Sequence, residues 1–178
     1  MRENELKLPE PVPSLQSADA FVEQYGAIYE HSPWVALRTW ERGLTSSADT
    51  VEGLAVEMAK TLASASRDEQ LTLILAHPDL AGRAAKQGEL TQDSTDEQSS
   101  AGLDQCTSEE LQRFHTLNDS YMNKFQFPFI MAVRGANRFL ILEAFETRIE
   151  NDKETEFGRA LDEINKIALL RLQAMCEV

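Results

Sequence analysis

The sequence predicts an all-α protein built as a single-domain bundle of about eight helices. Apolar residues recur at intervals of three and four along most of the chain, which is the period of an amphipathic helix. Several Ser or Thr residues precede a Glu by three positions, the spacing of a capping box at a helix start. The one apolar run short enough to be a strand has no partner strand. A chain of 178 residues suits one domain with a substantial core.

The amino-terminal third is predicted to hold an extended arm and three helices. Residues 1–16 contain three prolines and should form the arm, which leaves 17–178 as the helical domain. A stripe with helical spacing follows, made by Ala20, Phe21, Tyr25, Ile28 and Tyr29. Pro33 suits the first turn of a short second helix. The third helix has the clearest amphipathic pattern, made by Val51, Leu54, Ala55, Met58, Ala59 and Leu62.

The middle of the chain is predicted to contain a fourth helix and a polar loop. Ser66 and Glu69 have capping-box spacing and should start the helix. We expect it to stop near His77, because Pro78 disfavours helical geometry in the residue before it. Residues 82–93 are polar and are predicted to be a loop or a frayed helix.

The carboxy-terminal part is predicted to hold three helices and one buried connector. Thr107 and Glu110 form a second capping box, opening a helix whose apolar stripe is Leu111, Phe114, Leu117, Tyr121 and Phe125. The short apolar segment 127–133 contains a proline and is predicted to be a buried connector. Two helices, over roughly 137–150 and 153–176, complete the chain.

Charge and composition exclude several classes of partner. The formal net charge is −13, which argues against a nucleic acid or an anionic membrane, since both select for basic patches. A small anionic substrate stays possible, because a few buried cations can dominate locally. Cys106 and Cys176 are too few and too far apart for a disulfide framework or a zinc site. The sequence has no signal peptide and no apolar run of about 20 residues, so we expect a cytoplasmic protein.

Two short runs carry the candidates for chemistry: 77–82, with the sequence HPDLAG, and 94–98, with the sequence STDEQ. His77 and Glu97, if they meet in a cleft, can move protons on a small organic molecule without a metal. The alternative for His77 is a capping or packing group at a helix end. Ser94 with Glu97 also fits a capping box, which leaves Gln98 unexplained. A helix amino terminus is also a place that favours a bound anion.

Arg171 and the connector supply two further candidates. The last helix has an inward stripe made by Phe157, Ala160, Leu161, Ile164, Ile167 and Ala168. Arg171 continues this stripe, so its guanidinium either snorkels to a rim or points into a cavity, where it would suit a carbonyl or carboxylate ligand. The Phe127-Pro128-Phe129 segment either fills the core or forms a floor for a planar ring, with backbone groups available to an amide-bearing ligand.

Three ordered runs resemble the family of 2-oxo-4-hydroxy-4-carboxy-5-ureidoimidazoline (OHCU) decarboxylases. They are His77-Pro78-x-Leu80-Ala81, Ser94-x-x-Glu97-Gln98-x-x-Ala101-Gly102-Leu103 and Phe114-x-x-Leu117-Asn118-x-x-Tyr121-x-x-Lys124-Phe125-x-Phe127-Pro128-Phe129. The resemblance continues through Gly135, Ile141, Leu142, Phe145, Arg148 and Arg171 and covers roughly 17–173. One departure is Gln126, where the family commonly has glycine.

The resemblance implies an all-helical enzyme that decarboxylates OHCU to (S)-allantoin, the last step in the conversion of urate to allantoin. It implies no metal, no organic cofactor and a homodimer. The catalytic residues would be His77 and Glu97. The substrate-binding residues would be Pro78, Ser94, Thr95, Asp96, Glu97, Gln98, Phe129, Ile130, Met131, Ala132, Val133 and Arg171.

Two other functions remain open at this point. A non-catalytic helical interaction module would explain the acidic surface and the apolar stripes, but not the grouping of the candidate site residues. A cofactor-free lyase or isomerase acting on another ureido or imidazole compound would use the same site. In each enzymatic interpretation the partner is a small molecule, and neither nucleic acid nor membrane is expected.

Overall fold

The structure is a computed structural model that describes residues 5–82 and 88–177. Within these ranges the chain forms eight α-helices, three short 3-10 helices and one isolated β-bridge, between Lys7 and Thr50. The predicted all-α class is confirmed. The helices are α1 (Ala18–Tyr25), α2 (Pro33–Glu41), α3 (Val51–Ser64), α4 (Arg67–Leu75), α5 (Gln92–Ser100), α6 (Ser108–Phe125), α7 (Arg138–Arg148) and α8 (Lys153–Ala174).

The chain divides into two compact units. The first unit comprises Met1–Ala76 and Asn165–Val178, and the second comprises His77–Ile164. The division passes through α8, so the two ends of this helix belong to different units. The candidate site residues are divided too, with Arg171 in the first unit and the other candidates in the second.

In the first unit, the amino-terminal arm packs against the start of α3. The Leu8 N–H donates to the carbonyl of Asp49 at 3.0 Å, the Val51 N–H donates to the carbonyl of Leu6 at 2.9 Å, and the Leu8 side chain is buried. The predicted first stripe extends past its helix, because α1 ends at Tyr25. Its last two members, Ile28 and Tyr29, are buried in the irregular chain that follows.

The fourth helix has the predicted capping box. The Ser66 hydroxyl accepts from the Glu69 N–H at 3.2 Å, and the Glu69 carboxylate accepts from the Ser66 N–H at 2.9 Å. The Arg38 guanidinium and the Ser66 N–H, both bonded to Glu69, lower the pKa of that carboxyl to about 2. α4 ends at Leu75, so the predicted stop just before Pro78 is confirmed.

In the second unit, α5 starts earlier than a Ser94 cap would allow. The N-cap is Thr91, whose hydroxyl accepts from the Ser94 N–H at 3.3 Å. The capping-box interpretation of Ser94 and Glu97 is therefore wrong, since the start of the helix is already capped one turn earlier. The predicted loop over 82–93 holds for the described residues before Gln92, and its part at 83–87 lies outside the described residues.

The connector between α6 and α7 is buried, as predicted. Phe127, Phe129, Ile130 and Val133 are all less than 5% exposed, and no regular element forms over 127–133. The Phe129 ring stacks on Phe145 with centroids 3.7 Å apart. This packing brings the connector against α7 and fixes it without a sheet.

Candidate functional site

His77 opens the second unit, directly after α4. Its side chain is half-buried, whereas His31 and His115 are exposed. His31 lies in a turn with a φ of +47°, and His115 lies on α6. The half-buried His77 is thus the histidine placed best for acid–base chemistry among the three in the chain.

A tight turn follows His77 and Pro78. Ala81 has a φ of +52°, in the left-handed region that residues with a Cβ rarely adopt. A Cβ on Gly82 would lie 2.5 Å from the Asp79 Cβ, so only glycine fits there. Burial raises the pKa of the Asp79 carboxyl, as does the nearby charge of Asp119. The turn is therefore compact and constrained.

Two buried carboxamides bond the backbone of this turn. The Gln98 Oε1 accepts from the Ala81 N–H at 3.0 Å, and the Gln98 Nε2 donates to the Asp79 carbonyl at 3.3 Å. The Asn118 Nδ2 donates to the Leu80 carbonyl at 3.0 Å. Both side chains are about 5% exposed. That Gln98 contacts a ligand stays a prediction, but both ends of its carboxamide already bond the turn.

Helix α5 presents three of its predicted site residues on one face. Ser94, Glu97 and Gln98 are spaced by three and four positions, which places them on the same side of a helix. Ser94 and Gln98 are buried and Glu97 is half-buried. Thr95 and Asp96 are exposed, so a ligand contact from these two stays a prediction.

A cavity of about 600 Å³ lies beside the turn. Its walls include Ala81, Gly82, Thr95, Gln98 and His115. Neither predicted catalytic side chain is among the described residues that line it, so this cavity does not by itself locate the chemistry.

The connector is held by charged side chains from α7 and α8. The Arg148 Nη1 donates to the Ile130 carbonyl at 2.7 Å, and the Ala132 N–H donates to a Glu163 oxygen at 3.2 Å. The Arg148 guanidinium also lies over the Phe129 ring, 4.2 Å from its centroid. These contacts fix the backbone over 129–133, the segment that the family resemblance predicts to bind the substrate.

A buried network holds Arg148 in turn. The Arg148 Nε donates to Glu156 Oε1 at 2.9 Å, and the Tyr121 hydroxyl donates to the same oxygen at 2.6 Å. The Asn151 Nδ2 donates to the second oxygen at 3.1 Å, so the fully buried carboxylate is well bonded. Burial and the neighbouring Glu156 raise the pKa of the Tyr121 hydroxyl.

Sequence reasoning missed the acidic residues of this network, although the pattern of α8 contains a signal for them. Glu156 and Glu163 occupy the same helical face as the buried Ala160 and Ile164. A carboxylate within a buried stripe requires a partner, which here is arginine in each case.

In the first unit, Arg171 is buried and paired. Its Nη2 donates to a Glu30 oxygen at 2.8 Å, and its Nη1 lies 3.5 Å and 3.4 Å from the carbonyls of Ala27 and Ile28. The side chains of Arg171 and Glu30 are 4% and 2% exposed. The snorkelling alternative is therefore wrong. Glu30 is a further residue that the sequence did not indicate.

Neither a metal cluster nor a membrane span is found over the part of the chain that the structure describes. There, no three or more His, Cys, Asp or Glu side chains group so as to hold a metal ion. None of its helices is both long and apolar enough to cross a membrane.

Comparison with known proteins gives consistent matches. The OHCU decarboxylase family model matches residues 14–173. A 2-oxo-4-hydroxy-4-carboxy-5-ureidoimidazoline decarboxylase from Halalkalicoccus jeotgali is 46% identical over 166 residues, which are 92% of this chain and 90% of that protein. The protein of the same name from Mus musculus is 35% identical over 152 residues, covering 85% of this chain and 84% of its own.

Two solved structures share the fold. The crystal structure of (S)-allantoin synthase matches with a TM-score of 0.71 at 31% identity, covering 92% of this chain and 52% of that chain. The crystal structure of OHCU decarboxylase in the presence of (S)-allantoin matches with a TM-score of 0.68. That match covers 88% of this chain and 99% of the other, and at 22% identity it supports the fold alone.

Proposed function

Because this chain belongs to the OHCU decarboxylase family, we propose that it removes carbon dioxide from OHCU and yields (S)-allantoin, the last step in the conversion of urate to allantoin. The observation that carries this function is the match of the family model over 14–173, which includes every candidate site residue. The protein is a carboxy-lyase.

The chemistry of the substrate suits an enzyme without a cofactor. Loss of carbon dioxide breaks the bond between the ring carbon and the carboxylate and leaves the electron pair on the ring. The adjacent carbonyl and C=N system of the imidazoline holds that pair, so no separate electron sink is needed. The enzyme then has to orient the ring, favour loss of carbon dioxide and add a proton to one face.

We assign the proton transfer to His77 and Glu97. The electron pair left by carbon dioxide forms a C=C bond to the neighbouring ring carbon, which bears the ureido group, and the former C=N nitrogen takes up a proton. His77 is the acid that protonates this ureido-bearing carbon while the ring hydroxyl loses its proton and becomes the carbonyl of allantoin, and a histidine has a pKa near neutrality that suits this task. Glu97 engages the substrate hydroxyl or a ureido N–H and orients the reacting groups. Protonation from a single face yields one enantiomer of allantoin. The half-buried positions of both side chains support this assignment.

Binding is assigned to three groups of residues. Pro78 and the α5 residues Ser94, Thr95, Asp96 and Gln98 form the first group, and the backbone over 129–133 forms the second. Arg171 forms the third, since a planar guanidinium can make two parallel hydrogen bonds to a carbonyl or carboxylate. The fixed backbone of the connector and the inward position of Arg171 support these roles.

Two properties of the family extend the proposal. We propose a homodimer, as the resemblance implies, and a cytoplasmic location, which suits a metabolic enzyme with two cysteines and a strongly acidic composition.

The proposed function is tested with freshly made OHCU and circular dichroism, which detects an excess of one allantoin enantiomer. The wild type should produce the (S) signal, which the uncatalysed reaction does not give because there the intermediate is protonated from both faces. His77→Asn and Glu97→Gln should fold normally and lose activity, by about 10²–10⁴-fold for an acid–base group.

A matched control is His31→Asn, because His31 is exposed and asparagine tolerates its left-handed φ. This variant should retain wild-type activity. A folded His77→Asn protein with near-normal turnover would contradict the catalytic assignment. A wild type that gives no enantiomeric excess would contradict the function itself.

A further inference from the structure

The turn over 79–82 has a shape that its own residues do not favour. Ala81 sits at a φ of +52°, where its Cβ crowds the backbone, and Gly82 packs directly against Asp79. The turn begins two residues after His77, in the same stretch of irregular chain. A conformation that is disfavoured locally persists only when its surroundings impose it.

The surroundings impose it through the carboxamides of Gln98 on α5 and Asn118 on α6. Together these two side chains bond the backbone of three successive residues, Asp79, Leu80 and Ala81, at 3.0–3.3 Å. A carboxamide suits this task because it donates and accepts at once, so Gln98 can bond a carbonyl and an N–H two residues apart. Both side chains are buried, so a backbone group that loses its bond to them is not rehydrated and the loss costs free energy.

We propose that Gln98 and Asn118 are positioning residues that hold the 79–81 turn, and through it set the position of the His77 imidazole for proton transfer. This inference rests on the proposed function only for the role of His77. It assigns Gln98 a task in addition to the substrate contact proposed above, because its carboxamide bonds two backbone groups of the turn. A small displacement of a catalytic group is costly, since about 1 Å of misplacement can reduce a rate by about 10²-fold.

The test is a double-mutant cycle between positions 98 and 81. Gln98→Met removes both backbone bonds at similar volume and should lower kcat by about 10–100-fold with a smaller change in KM. Ala81→Gly alone should change little. Combined with Gln98→Met, it should restore about five- to tenfold of the lost rate, because glycine adopts a positive φ without the Cβ penalty. A Gln98 that only touches the substrate would show no such rescue.

A second readout needs no substrate. The Ala81 N–H should exchange slowly with deuterium in the wild type and fast in Gln98→Met, and the NMR titration of the His77 imidazole should shift in Gln98→Met and in Asn118→Leu. Gln105→Met, at an exposed glutamine in the 3-10 helix before α6 that does not line the cavity, is the matched control and should move none of these signals. These measurements need no OHCU turnover. They therefore distinguish a failure of the proposed function from a failure of the positioning role proposed for Gln98 and Asn118.

A milder variant keeps the test informative if Gln98→Met does not fold. Gln98→Asn keeps a neutral carboxamide that is one methylene shorter, so it weakens both backbone bonds without burying a charge and should show a smaller loss of kcat and the same rescue by Ala81→Gly. Unchanged Ala81 exchange in the Gln98 variants, or a loss of activity that Ala81→Gly leaves untouched, would overturn the proposal.

Discussion

At the scale of single residues, Arg171 and Glu30 form a buried ion pair, and the stability of the protein depends on both partners being present. Removing one partner of such a pair leaves a charge without compensation and costs about 3–5 kcal/mol. The Arg171 guanidinium also lies within 3.5 Å of two backbone carbonyls, so three groups fix its plane. A guanidinium held in this way loses little further side-chain entropy when a ligand binds to it.

Arg171→Lys is expected to reduce kcat/KM more than it harms the fold. Lysine keeps the charge that Glu30 requires but loses the planar fork, so the loss should be about 1.5–3 kcal/mol in kcat/KM, the size of a hydrogen bond to a charged group. Allantoin should raise the melting temperature of the wild type more than that of the variant. The control Arg113→Lys changes an exposed arginine and should be silent. Equal kinetics and equal protection in Arg171→Lys would remove Arg171 from the site.

Residue-level prediction succeeded where helical periodicity applies. The stripe of α8 predicted that Arg171 continues its inner face and left a snorkelling or an inward guanidinium open, and in the structure the residue is buried. Glu30 could not be found in this way, because it lies beyond the end of α1, where no period constrains its direction. The contact between Gln98 and the 79–81 turn was equally out of reach, since it depends on a left-handed Ala81 that no residue type signals.

At the scale of elements, the backbone at the end of α6 shows why glycine is favoured at position 126, where this chain has Gln126. Gln126 caps the helix with φ of 65° and ψ of 24°, and its N–H donates to the Met122 carbonyl at 2.8 Å. This is the left-handed helix cap in which glycine is favoured, because it lacks the Cβ that crowds the backbone. The Gln126 side chain offsets part of this cost by donating to the Asn123 carbonyl at 2.9 Å.

Gln126→Gly should therefore stabilise the protein. Relief of a left-handed non-glycine residue gains about 1–2 kcal/mol, and the greater freedom of glycine in the unfolded chain takes back about 0.4–1 kcal/mol. With the exposed side-chain bond also lost, we expect a net gain of about 0.5 kcal/mol, measured by urea unfolding. Gln126→Ala is the control, since alanine keeps the Cβ and gains nothing. A Gln126→Gly protein less stable than the wild type would contradict this account.

Element boundaries show what local signals decide. Pro78 predicted the end of α4 correctly, because a proline acts on its neighbour through direct sterics. The predicted helix start at Ser94 was wrong, because Thr91 offers an equivalent hydroxyl one turn earlier and α5 starts there. Thr91 and Ser94 both carry a hydroxyl suited to capping, so the sequence alone does not distinguish the two starts.

At the scale of the whole molecule, 30 acidic residues face 17 basic ones. Such an excess of one sign destabilises the folded state through self-repulsion, and salt screens that repulsion. Salt also weakens attractive surface pairs such as Lys60 with Glu57 and Arg113 with Glu146. Each exposed pair contributes only about 0–1 kcal/mol, whereas the excess charge acts over the entire surface. The repulsive effect should therefore dominate.

The melting temperature at pH 7 should accordingly rise when NaCl is increased from about 0.02 M to about 0.5 M, because the Debye length falls from over 20 Å to about 4 Å. The control is the same salt step near pH 4.6, the isoelectric point of the sequence, where the net charge vanishes and the rise should shrink. Differential scanning calorimetry at both pH values measures the effect. A melting temperature that falls with salt at pH 7 would mean that surface ion pairs outweigh the net charge of −13.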